Sequence, residues 1–106
     1  MAKYLVIGSY TAEGAKGIMR EGGSGRINAA RQVVESVGGS LEWLYWAFGT
    51  EDFYALVDLP SDAAAVAASL TIAGSGSSTT RTVPLLTAED IDAATKLSPS
   101  FRPPGA

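Results

Sequence analysis

Between Lys3 and Tyr10 apolar side chains alternate as in a strand: Tyr4, Val6 and Tyr10 fall on one face, Leu5 and Ile7 on the other. Both faces are largely apolar, so the pattern predicts a central strand covered on both sides. The period then lengthens. Thr11 is placed to cap a helical segment from Ala12 to about Glu21. Gly22-Gly23-Ser24-Gly25 interrupts it, and a stronger segment, Arg26 to Val37, carries Ile27, Ala30, Val34 and Val37 on one stripe. Gly38-Gly39 is a C-terminal stop.

Alternation returns on either side of the polar turn Gly49-Thr50-Glu51-Asp52, which predicts a β-hairpin. In its first strand Leu41, Trp43, Tyr45 and Ala47 should share one face, with Leu44, Trp46 and Phe48 on the other. The second strand, Phe53 to Leu59, ends at Pro60, which cannot donate to a ladder. Ser61 caps a helix from Asp62 to about Ala73, with Val66, Ala67 and Leu70 as its expected buried stripe. After a Gly/Ser turn, Thr79 to Leu86 reads as a fourth strand, and Pro84 assigns it to a sheet edge. Thr87 and Asp90 form a capping box for a short helix to about Lys96. The Pro-rich tail is expected to be extended.

The order β-α-β-β-α-β plus a terminal helix is the ferredoxin-like plan of the α+β class. Right-handed crossovers place both helices on one face of a four-stranded antiparallel sheet. The expected organisation is a single domain over residues 1–97 and a tail over 98–106. The sheet's second face would be open, yet three strands carry apolar or aromatic residues on both sides. Such a patch calls for a partner, and a homodimer with two-fold symmetry, or a higher homo-oligomer, is expected.

Composition narrows the chemistry. A chain of 106 residues, 46% hydrophobic and 18% charged, suits one globular core. The net charge is −3 and the basic residues form no run, so neither nucleic acid nor an anionic membrane is expected as partner. No stretch reaches membrane-spanning length or has the form of a signal peptide, and the expected compartment is the cytoplasm. The chain has no cysteine and no histidine. Disulfides, thiol nucleophiles, His-based triads and imidazole metal sites are therefore excluded.

Other motifs weigh less. The glycines between Gly14 and Gly25 fit neither GxxxxGK[ST] nor a strand-linked GxGxxG, and read as a helix break. Arg20 and Arg26 flank that break. Ser24 and Ser75 lack both the nucleophile-elbow spacing and a base. Glu51, Asp52 and Asp58 form a carboxylate group at the hairpin, where turn hydrogen bonding outweighs acid/base or cation-binding roles. Trp43, Tyr45 and Trp46 stabilise a sheet or an interface before they line a pocket, and alternation separates Trp46 from the other two.

AKYLVIGSYTAEGAKGIMREGGS, ESVGGSLEWLYWAFGTEDFYALVDLP, TVPLLTAEDIDAA and the FRPPG tail together resemble the GYD-domain proteins, over nearly the whole chain. Gly49 and Asp52 match the glycine and aspartate of that family's signature turn, while Glu51 stands where its tyrosine would be. The resemblance implies a dimeric α/β barrel of unestablished activity, with no cofactor. A small apolar or aromatic molecule bound between sheet and helices is the leading functional expectation, with Tyr10, Trp43 and Tyr45 as candidate ligand-binding residues. The enzymatic alternative is a cofactor-independent monooxygenase or isomerase, with Tyr45, Arg81 and Asp52 as candidate catalytic residues and Arg81 buried or pocket-facing. A third is an assembly role for the open sheet face, the last helix and the tail.

Overall fold

The computed structural model describes residues 1–106. The elements are β1 (Ala2–Tyr10), α1 (Ala12–Ser36), β2 (Ser40–Trp46), β3 (Phe53–Leu59), α2 (Asp62–Gly74), β4 (Ser78–Pro84) and α3 (Ala88–Thr95). The strands form one sheet in the order β2-β3-β1-β4, with every neighbouring pair antiparallel. This is the ferredoxin-like arrangement: β1 is central and β4, with Pro84 at its end, lies at an edge.

α1 keeps its expected interruption, but confines it to one residue. Gly22 has φ 74° and ψ 175°, a combination that essentially only glycine adopts. The neighbouring residues continue in helix on both sides. All three N-caps are as the sequence reads: Thr11, Ser61 and Thr87 each accept a hydrogen bond from the backbone N–H three residues on. Thr87 and Asp90 complete the reciprocal capping box.

Two expected faces are wrong. In β2, Leu41 pairs with Val57 but Trp43 pairs with Leu56, so Glu42 is the extra residue of a β-bulge. The bulge turns Leu41 to the helix side with Leu44, and leaves Trp43 and Tyr45 on the outer face. Glu42 is held there by Lys3, which also reaches Asp58 at 3.1 Å. In α2 the face toward the sheet is not Val66, Ala67 and Leu70 but Ala65, with Ala64, Ala68, Ser69 and Ile72 beside it. Val66 and Leu70 are 55% and 67% exposed. Small side chains let the helix approach closely, and Tyr4 Oη donates to Asp62 Oδ1 at 2.5 Å, fixing the start of α2 over β1.

The helix-side core is built from Tyr4, Val34, Val57, Leu59 and Ala65 at one end and from Leu44, Phe53 and Ala55 at the other. Full burial of side chains the size of Val, Leu or Phe contributes roughly 1.5–3 kcal/mol each. α1 lies mainly against β2 and α2 mainly against β4, so neither helix packs directly onto the middle of the sheet.

On the outer face only Ile7, flanked across the strands by Tyr54 and Arg81, is buried. Every residue from Pro84 to Ala106 is exposed, α3 included. The radius of gyration, 17.3 Å, is accordingly larger than the about 13 Å of a compact domain of this length.

A cavity between the sheet and the two helices

Between the middle of the sheet and the two helices lies a cavity of about 330 Å³. Its floor is Val6, Ala55 and Val57, with Leu41 and Leu44 toward β2; Ala30, Val33 and Val34 of α1 form one wall, and Ala65, Ala68 and Ile72 of α2 the other. Hydroxyls line the β4 side, where Ser69 and Thr82 Oγ atoms lie 3.4 Å apart and Ser75 and Ser77 Oγ atoms 2.8 Å apart. Tyr10, paired across the strands with Ser78, and Arg26 complete the lining at the aromatic end.

That end is assembled by the hairpin turn. Gly49 has φ 110°, which a residue with a Cβ resists. The turn then brings Asp52 against β1: its N–H donates to Gly8 O at 2.8 Å, and its Oδ2 accepts from the Tyr10 N–H at 2.8 Å. Ala47 N–H donates to Asp52 O at 2.9 Å, and Ser9 Oγ donates to Thr50 O at 3.1 Å. With its backbone so fixed, Tyr10 lays its ring 5.1 Å from Phe53, and Trp46 Nε1–H donates to Tyr10 Oη at 3.0 Å. Trp46 also approaches the α1 break at Gly23.

Of the residues singled out in the sequence, Tyr10 lines the cavity and Asp52 supports it from behind. Trp43 and Tyr45 lie elsewhere: they pack on each other, ring centroids 5.7 Å apart, on the outer face, and Tyr45 is 68% exposed. Arg81, expected to be buried or pocket-facing, is an exposed outer-face residue, because odd-numbered β4 positions share the face of Ile7. Its guanidinium donates to Glu51 Oε1 at 2.8 Å. Tyr45, Arg81 and Asp52 therefore do not converge on one cavity. Arg26 and the hydroxyls of Ser69, Thr71, Ser77, Ser78 and Thr82 line it without having been proposed for it. Their signal is weak: Arg26 stands beside a glycine break, and Ser and Thr are the usual residues of turns and edge strands.

The fold and cavity define a small ferredoxin-like α+β domain with an apolar internal pocket. The sequence model of the GYD domain matches residues 4–95, and the protein belongs to that family. No curated protein and no solved structure matches the chain. No helix is long and apolar enough to cross a membrane.

Tyr10 carries the cavity's distinctive electrostatics. Burial pushes its phenol above the ordinary tyrosine value; the Trp46 hydrogen bond and the Arg26 charge oppose this, while Asp52 and Glu21 add to it. Tyr4 is also raised, first by its hydrogen bond to Asp62 and then by burial. A raised folded-state pKa favours folding while the group is protonated. The contribution is complete below the unfolded value of about 10 and is lost as pH rises through the folded value. In an ultraviolet titration, Tyr10→Phe should remove a late-ionising phenol and reduce the loss of stability above pH 10. Removal of an ordinary, early-ionising phenol would contradict this environment.

Proposed function

We propose that this GYD-domain protein is a homodimeric small-molecule-binding protein whose cavity takes an apolar or aromatic molecule. The observation that carries the reading is the cavity itself: about 330 Å³, walled mainly by aliphatic side chains, with hydroxyls and one guanidinium among them. Ligand sites begin at roughly this size and have this character. Aromatic contacts from Tyr10 and Phe53, with the Ser77 and Ser78 hydroxyls beside them, would orient an occupant.

A second copy is part of the proposal. The chain exposes 7195 Å², about 1,600 Å² more than a compact monomer of its size. A standard interface removes about 800 Å² from each partner. The excess lies where apolar residues are uncovered: Trp43 and Tyr45 on the outer sheet face, and Leu86, Ile91, Leu97 and Phe101 on the C-terminal arm. Sheet-to-sheet packing with the arm reaching onto the partner would cover both. A cytoplasmic setting belongs to the same reading, in keeping with a chain that has no cysteine. A cofactor-independent monooxygenase or isomerase is the alternative, and would have to rest on Tyr10, since Tyr45 and Arg81 face away from the cavity.

Titration with 2-phenylethanol, followed by NMR, should give saturable shifts at Ala55, Val57 and Ala68, and Ala68→Phe should abolish them by filling the space. Shifts confined to Trp43 and Tyr45, or none, would contradict the binding reading. Sedimentation equilibrium should show a dimer for the full chain and a monomer for Trp43→Glu, which places a charge on the proposed interface. A monomeric full chain would contradict the assembly.

A further inference from the structure

We infer that the occupant of the cavity is an apolar acid, its carboxylate held between Tyr10 Oη and the Arg26 guanidinium. This rests on the binding reading above and adds a charge and an orientation to it.

The first observation is the direction of the Tyr10 hydrogen bond. Its oxygen accepts the Trp46 indole N–H at 3.0 Å, and no protein acceptor takes the phenol's own proton. The nearest carboxylate on the hairpin, Asp52, is turned to the Tyr10 backbone N–H at 2.8 Å. The Tyr10 phenol, at the solvent-exposed edge of the cavity, therefore keeps its donor available to an occupant.

The second is the sign of the charge in the wall. Arg26 is the one charged residue that lines the cavity; no aspartate or glutamate does. Its Nη1 lies 3.2 Å from Glu21 Oε1, and its side chain is 33% exposed. That pair leaves other N–H groups of the five-donor guanidinium free. A half-exposed pair of this kind contributes little, whereas a bidentate guanidinium–carboxylate contact shielded from water is among the stronger polar contacts. Trp46, bonded to Tyr10 Oη, also approaches the α1 break at Gly23, close in the chain to Arg26, so the two groups serve the same end of the cavity.

The third is the neutrality of everything else. The remaining polar lining is hydroxyl, partly engaged in Ser69–Thr82 and Ser75–Ser77 contacts on the β4 side. A cationic ligand would find no counter-charge in the wall. A neutral one would leave the Arg26 charge with Glu21 as its only anionic partner. An acid with an aromatic or branched apolar body satisfies both ends.

The test compares phenylacetate with 2-phenylethanol at neutral pH, by NMR titration of the cavity methyls and the Trp46 indole N–H. Phenylacetate should bind about ten- to a hundredfold more tightly, the worth of a charge-assisted contact. In Arg26→Gln the two probes should bind alike, and Arg26→Lys should keep part of the preference, since it retains the charge without the fork. Tyr10→Phe should weaken phenylacetate more than the alcohol. Equal affinities in the wild type, or a preference that persists in Arg26→Gln, would overturn the acid assignment and leave the binding reading standing. If neither probe moves the cavity resonances, both fall together.

Discussion

The contact on which the cavity depends is the hydrogen bond from the Tyr10 backbone N–H to the Asp52 carboxylate, 2.8 Å long. Asp52 meets β1 twice, through that bond and through its own N–H on Gly8 O, and its carbonyl accepts from Ala47 beyond β2. One turn residue thus joins the end of the central strand to both sides of the hairpin. On the side away from β4, where Tyr10 pairs with Ser78, this tie holds the Tyr10 ring over Phe53, within reach of the Trp46 indole. Gly49 and Asp52 act through this geometry: one supplies a positive φ, the other an acceptor. Glu51, between them, serves the outer face by pairing with Arg81.

The fold's second constraint is that a four-stranded sheet has two faces and the helices cover only one. On the helix side, alanines and serines of α2 allow close approach at the ends, while the divergence of α1 and α2 leaves the cavity over the middle. On the outer side, ion pairs such as Lys3–Asp58 and Glu51–Arg81 are exposed and contribute little. They frame Trp43, Tyr45 and the neighbouring apolar residues, whose burial has a far larger energetic reward. Lys3 is raised, first by its hydrogen bond to Glu42 and then by that to Asp58, and Asp58 is lowered, first by its hydrogen bond from Lys3, so their small contribution is complete between the acidic and alkaline extremes.

Much of the fold was legible because its signals are local. Alternation marked β1 and the hairpin, capping residues marked the start of each helix, and Pro84 marked the edge strand. The break in α1 was visible in its glycines, though its confinement to Gly22 was not. What escaped the sequence depends on three-dimensional neighbours. A bulge at Glu42 carries no period of its own, yet it transfers Leu41 between faces. The rotation of α2 follows from close approach of Ala65 and Ala68 to the sheet, against the hydropathy of Val66 and Leu70. Of the candidate site residues, Tyr10 lies on the cavity side of the sheet, and Trp43, Tyr45 and Arg81 lie on the outer face. Arg26 reaches the cavity only because the break in α1 sets where its helix runs.

The most direct test is the effect of Asp52→Ala on the Trp46 indole N–H, some distance from the substituted side chain. Urea unfolding should show a loss of about 1–3 kcal/mol, the cost of leaving a buried N–H without its acceptor. In the same variant the indole N–H should exchange faster with solvent, because Tyr10 no longer holds its oxygen there, and Asp52→Asn, which keeps an oxygen acceptor, should be milder in both. A variant that loses stability but keeps the wild-type indole exchange would contradict the central claim, by showing that the aromatic end of the cavity stands without the turn.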